Sequence, residues 1–215
     1  MKTNVEPLFP ETFYHVYNRG INGENIFKQE RNYTYFLQRY AYQIAPIAET
    51  YAYCLLKNHF HVLIKTKSEG EIRANCLKQK EDAPKSIGST QDRPATWHIS
   101  NQFAKLFNGY SQAVSKAVGR TGGLFEEPFR RIHVDSDAYF TSMIHYIHFN
   151  PQKHGFVDDF RDYPHSSYHS HLSAKTTQLN RNEVLNWFGN RYEYEKFHVM
   201  DVDEMKIKAL IVEFD

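Results

Sequence analysis

Two hundred and fifteen residues at 25.4 kDa suffice for one domain with a sizeable core, or one domain and a small appendage, and are too few for two domains of ordinary size. Twenty-six Lys and Arg against twenty-five Asp and Glu leave a formal charge of +1, so a polyanion would be met by a local patch and not by a global basic field. Two distant cysteines, Cys54 and Cys76, argue against a disulfide scaffold or a cysteine-rich zinc site, and the first ten residues and the absence of a long apolar run argue against a signal peptide and a membrane span; a cytoplasmic protein is expected.

In chain order, the β-favouring run Phe13-Tyr14-His15-Val16-Tyr17 ahead of the turn residues Asn18-Arg19-Gly20 predicts a strand over 12–18. Tyr33, Phe36, Leu37 and Tyr40 recur at helical spacing and predict a helix over 29–43, closed by Pro46. Residues 47–56 and 59–66, joined by Lys57-Asn58, carry the densest strand pattern and predict a hairpin. A short helix is expected over 71–80, an exposed loop over 81–96, and a long helix over 100–118 that stops at Gly119. Residues 124–134 look like an edge strand interrupted at Pro128. Caps at 135–137 predict a helix through Phe149, with a stripe of Phe140, Met143, Ile144 and Ile147, bounded by Pro151. Residues 158–172 are turn-rich, 180–188 are helical, and a mixed tail follows.

The chemistry gathers on two segments. His59-Phe60-His61 lies in a predicted strand, where a spacing of two puts both imidazoles on one face and Phe60, Val62 and Ile64 on the other. Such a pair can share a cation, and it equally describes half-buried histidines in a chain with twelve of them. On the helix ending near residue 150, Tyr146 and Asn150 are four apart and adjacent on the surface, so Asn150 can offer an amide oxygen as a third ligand and Tyr146 a hydroxyl; a half-buried aromatic and a helix C-cap are the plain alternatives. Two imidazoles and an amide suit Mg²⁺ or Mn²⁺ and would leave room for phosphate oxygens. A phenol, with a pKa near ~10, attacks phosphate poorly at neutral pH unless a cation offsets the developing charge.

Leu55-Leu56-Lys57-Asn58-His59-Phe60-His61-Val62-Leu63-Ile64, then Gly119-Arg120-Thr121-Gly122-Gly123-Leu124-Phe125, then Tyr146-Ile147-His148-Phe149-Asn150-Pro151 together resemble the HUH single-tyrosine transposases, above all the REP-associated tyrosine transposases. Phe13 to Gly20, Lys153 to Val157 and Asp162 to Tyr168 extend the likeness over residues 12–172. The resemblance implies an α+β, ferredoxin-like antiparallel sheet with helices packed on it, formed by residues 1–172, with 173–215 as a small C-terminal helical extension. It implies cleavage and rejoining of single-stranded, hairpin-forming DNA through a 5′-phosphotyrosine at Tyr146, with His59, His61 and Asn150 holding the metal, and it leaves room for a homodimer. The sequence departs from the family at His165, where many members carry Trp, and in the length of the 81–96 loop.

Arg19, Lys57, Lys65, Arg120, Arg130 and Arg131 lie near the motif segments and are the candidate phosphate contacts, or solvated charges. Tyr14, Tyr17, Phe125 and Phe129 could stack on bases or fill the core. His133, His145 and His148 are candidates to line the DNA path or else solvated or core-edge histidines, and His165, His169 and His171, whose spacing could bind a metal, are expected at the surface. Two other function classes stand beside the transposase reading: a metallohydrolase built on His59 and His61, and a non-catalytic DNA-binding module of the same fold.

Overall fold

Period-two alternation in the first strand and in the hairpin fixes which side chains face which layer, and the computed structural model, which describes residues 6–81, 92–134 and 137–200, builds a sheet from them. The elements are β1 (Phe13–Arg19), α1 (Glu30–Ile44), β2 (Ala48–Leu55), β3 (His59–Thr66), α2 (Glu69–Glu81), α3 (Ala95–Val118), β4 (Arg130–His133), α4 (Asp137–Lys153), α5 (Tyr168–Leu172), α6 (Arg181–Trp187) and α7 (Arg191–His198). The strands pair antiparallel in the order β2-β3-β1-β4. With α1 crossing from β1 to β2 and α2 and α3 from β3 to β4, this is the ferredoxin-like α+β arrangement that the motifs imply. No helix among the described residues is long and apolar enough to cross a membrane.

The sheet is covered on both faces. Tyr14, Val16, Phe60, Val62 and Ile64 pack under α1 and α3 with Phe36, Phe103, Leu106 and Tyr110. On the other face, Ala52, Cys54 and Leu63 meet Met143, Ile144, Tyr146 and Ile147 of α4, and Val184 and Tyr194 of α6 and α7 join the same cluster, so the C-terminal extension completes this layer. Burial on both sides explains why β3 reads as an almost unbroken apolar run.

Several boundaries differ from expectation. Helix α3 starts at Ala95, a turn or more before residue 100, because Pro94 sits in the extended N-cap conformation and Ala95, His98 and Ile99 continue the buried stripe. Gly119 closes it at φ 65°, where a Cβ would be strained. Helix α4 passes through Pro151 to Lys153, since a proline in the last turn removes only its own donor. The turn-rich stretch contains the short α5, and the tail contains α7, started by an Asn190 side chain that accepts from the Glu193 amide. Residues 82–91 of the expected loop and the expected caps at 135 and 136 lie outside the described residues.

A directional hydrogen-bond relay ties the C-terminal helices to α4. The Tyr53 amide donates to Ser167 Oγ at 2.9 Å, Ser167 Oγ donates to His148 Nε2 at 2.7 Å, His148 Nδ1 donates to His198 Nε2 at 2.9 Å, and His198 Nδ1 donates to the Tyr194 carbonyl at 2.8 Å. His148 and His145 thus face α7 and not a DNA path, because position 148 lies about 200° around the helix from position 146. His171 is buried beside Tyr194, contrary to its expected surface place, while His165 stacks flat on Tyr33 at 3.5 Å and His169 bonds the Arg161 carbonyl.

Burial holds His148 well below the ordinary imidazole range, His171 down to about 4 and His198 down to about 3. Since the unfolded chain takes up these protons near pH 6.5 and the folded chain does not, stability is full above pH 6.5 and falls as the pH drops toward 4, by about 1.4 kcal/mol per unit for each such histidine. Thermal melts at pH 7 and pH 5 should show a clear loss at pH 5, and His198→Gln should reduce the difference between the two.

Candidate active site on the α4 face of the sheet

β3 places His59 and His61 on the face covered by α4, and β1 places His15, Tyr17 and Arg19 beside them, with Tyr17 opposite His61 and Arg19 opposite His59. The His59 and His61 ring centroids are 5.1 Å apart and nearly perpendicular. Tyr146, buried on α4, presents its ring edge-on to His61 at 5.8 Å and to His15 at 6.0 Å. The strand pair and the tyrosine helix therefore meet, as the sequence spacing requires of a shared site. Asn150 is also fully buried one turn beyond Tyr146, and its Nδ2 donates to the Tyr146 carbonyl at 2.8 Å.

Both imidazoles commit Nδ1 to protein groups. His59 Nδ1 donates to Asn58 Oδ1 at 2.8 Å, and His61 Nδ1 lies 2.9 Å from His15 Nε2. Nε2 is therefore the nitrogen in each ring that could ligate a cation. Burial, then the nearby His154 and Arg19, lower His59 to about 3, and burial, then His15, His59 and His154, hold His61 well below the ordinary range. Both rings stay neutral at physiological pH, the state in which an imidazole can bind a cation.

The third proposed ligand supplies the test of fit. Asn150 Oδ1 is buried and has no hydrogen-bond partner among the described residues. A buried carbonyl oxygen left so costs ~1–3 kcal/mol, and a cation is the partner that two neutral imidazoles and an amide can share. Among the described residues no group of three or more His, Cys, Asp or Glu is arranged for a metal, so a ligand set built on His59 and His61 would draw on other oxygen donors such as this amide.

The cations divide. Arg19 pairs with Glu126 at 2.6 Å, Arg130 approaches the same carboxylate at 4.0 Å and hydrogen-bonds Tyr17, and both flank the histidine pair. Arg131 points to the opposite face and stacks over Phe129 at 3.9 Å. Arg120 is tied to Glu24 and the Gly123 carbonyl, and Lys57 sits exposed in the β2–β3 turn. Lys65 lies over Phe13 at 5.1 Å, six residues along β3 from His59 and so roughly 20 Å away. Tyr14, Tyr17 and Phe125 are core residues and not stacking platforms; Phe129 is half-buried.

Three neighbours of Tyr146 and the histidines escaped the sequence reading as site residues. His15 shares the alternation of β1, Lys153 places its Nζ 5.5 Å from the Tyr146 ring, and His154 stands edge-on to His59 at 5.1 Å. The signal for the last two was their position one turn beyond Asn150.

No family profile matches the chain. A curated protein of Haemophilus influenzae, named as a REP-associated tyrosine transposase, is 27% identical over 132 residues, which cover 59% of this chain and 62% of that protein. The chain is similar in sequence to this REP-associated tyrosine transposase. It spans about three fifths of that relative's length. A solved structure described as the REP-associated tyrosine transposase bound to a REP hairpin aligns at TM-score 0.48 and 17% identity, over 81% of this chain and 86% of that one.

Asn150→Leu removes the unpartnered oxygen while keeping most of the volume. In chelator, the metal-free variant should be as stable as the parent or up to ~1 kcal/mol more stable by thermal denaturation. A loss above ~2 kcal/mol would mark Asn150 as a packing residue only.

Proposed function

We propose that this protein cleaves and rejoins single-stranded DNA through a covalent tyrosine intermediate, as a tyrosine transposase or a domesticated form of one. The observation that carries the reading is the Tyr146 ring 5.8 Å from His61, on a helix that also buries an amide oxygen without a hydrogen-bond partner among the described residues. His59, His61 and Asn150 would hold Mg²⁺ or Mn²⁺, which supplies charge compensation at the scissile phosphate. The Tyr146 hydroxyl attacks phosphorus, the new phosphorus–oxygen bond forms as the bond to the 3′ oxygen breaks, the phenolic proton passes to solvent, and the 3′ oxygen leaves as a hydroxyl after taking up a proton. The product is a 5′-phosphotyrosine on the downstream strand, and attack by a 3′ hydroxyl reverses the exchange and rejoins DNA.

The chain's own groups prepare this step. Burial between α4 and the sheet restrains the Tyr146 ring, and Lys153 over that ring favours the phenolate character that develops during attack. Arg19 and Arg130, which approach one carboxylate of Glu126 beside the histidine pair, would meet backbone phosphates flanking the scissile bond. A hairpin-forming single strand is the proposed substrate.

Tyr146→Phe deletes one oxygen and almost no volume, so the protein should fold and bind a single-stranded oligonucleotide, yet form no covalent adduct and no cleaved strand. Denaturing gels with the downstream end labelled read both products. Tyr139→Phe should leave the adduct intact, and excess chelator should abolish it in the parent. If the adduct persists in Tyr146→Phe, the nucleophile is assigned wrongly; if the parent binds DNA and never forms it, the chain is a binding module.

A further inference from the structure

We infer that His15 is a positioning residue that holds His61 as the Nδ1-protonated tautomer and so presents Nε2 to the cation; this rests on the metal-assisted reading above. His15 Nε2 and His61 Nδ1 are 2.9 Å apart, their rings lie almost parallel at 20°, and both side chains are fully buried. Two neutral imidazoles at this distance share one proton between the facing nitrogens, so one donates and the other accepts.

The ligand role decides the direction. With Nε2 of His61 acting as the lone-pair donor, its Nδ1 carries the hydrogen and His15 Nε2 accepts it, which leaves the His15 hydrogen on Nδ1. The companion ligand His59 is oriented in the same sense by Asn58 Oδ1 at 2.8 Å, so the two rings each donate Nδ1–H to a neutral acceptor. The acceptors in these two pairs are an imidazole and an amide, not carboxylates. A neutral acceptor leaves the ligand imidazole less electron-rich than a carboxylate would, which suits a site that must exchange phosphate oxygens rather than hold its cation tightly.

β1 imposes the geometry. Leu63, and not His61, is the register partner of His15, so the two histidines are diagonal neighbours on one face of the β1–β3 pair, and the inclined approach lets Nε2 of one meet Nδ1 of the other. The Tyr146 ring closes the third side, edge-on to both imidazoles at 6.0 and 5.8 Å. A loosened His15 would therefore free the His61 ring and shift the neighbour of the attacking tyrosine together.

The test uses two neutral substitutions that differ in where they place an acceptor. In His15→Gln the amide oxygen reaches the position of the lost Nε2, whereas in His15→Asn it falls short. Mn²⁺ binding to the metal-free full-length protein, read by isothermal titration calorimetry, should weaken by about 10- to 100-fold in His15→Asn and stay within about threefold of the parent in His15→Gln, at matched thermal stability. Equal affinity in parent and His15→Asn, or an equal loss in both variants, overturns the positioning role. A parent that binds no Mn²⁺ overturns the metal reading itself. Should His15→Asn fail to fold, the ¹⁵N spectrum of His61 in the folded parent decides: a proton on Nδ1 and none on Nε2 supports the inference, and the opposite tautomer overturns it.

Discussion

Three imidazoles removed from water on one face of a doubly covered sheet set the terms for the rest of this fold. His15, His59 and His61 lie between β1, β3 and α4, where burial holds His59 and His61 neutral. A neutral ring has one donor and one acceptor, so every ring added to the layer creates a demand for a complementary partner. Asn58 meets one demand and the His15–His61 pair meets another. The layer keeps this costly chemistry at the edge of a large apolar cluster, where Leu63, Met143 and Ile147 supply the packing that offsets it.

The back of α4 obeys the same rule. Tyr146 and Asn150 face the sheet, and His148 between them faces α7, so one helix carries polar groups on two opposed buried sides. The relay from Ser167 through His148 to His198 satisfies the far side and joins α4 to the C-terminal helices by bonds of defined direction. An extension that looks dispensable in the sequence is thus bonded directly to the helix that bears the tyrosine. Rotation of α4 about its axis would break the relay and displace Tyr146 together, so the orientation of Tyr146 depends on residues fifty positions later.

Much of this was legible because period-two and helical patterns act locally. Spacing within single elements made His59 with His61 and Tyr146 with Asn150 candidate pairs and left the plain alternatives open, and the likeness of several ordered motifs joined the two segments. What spacing could not reveal were partnerships across elements: His15 with His61 spans 46 positions, and His148 with His198 spans 50. Histidine is ambiguous in a sequence because the same residue serves as ligand, orienter or core filler, and only the partner of its second nitrogen separates these roles. The basic residues divide for a different reason. Sequence proximity to a motif grouped six of them, whereas strand alternation sends Arg130 and Arg131 to opposite faces and carries Lys65 to the far end of β3.

The near-neutral charge of the chain becomes intelligible at Glu126. One carboxylate serves Arg19 at 2.6 Å and reaches Arg130 at 4.0 Å, so two guanidinium groups beside the histidine pair are left with about half their charge compensated. At physiological ionic strength a field of that size fades within ~8 Å, so it adds little to the charge seen from a distance. On the proposed reading, an arriving phosphate offers these arginines the bidentate acceptor that a shared carboxylate cannot provide to both. Binding then exchanges one partner for another instead of neutralising free cations, and its selectivity lies in the geometry of the flanking phosphates. A site made this way needs no global basic field, which reconciles a formal charge of +1 with a polyanionic substrate.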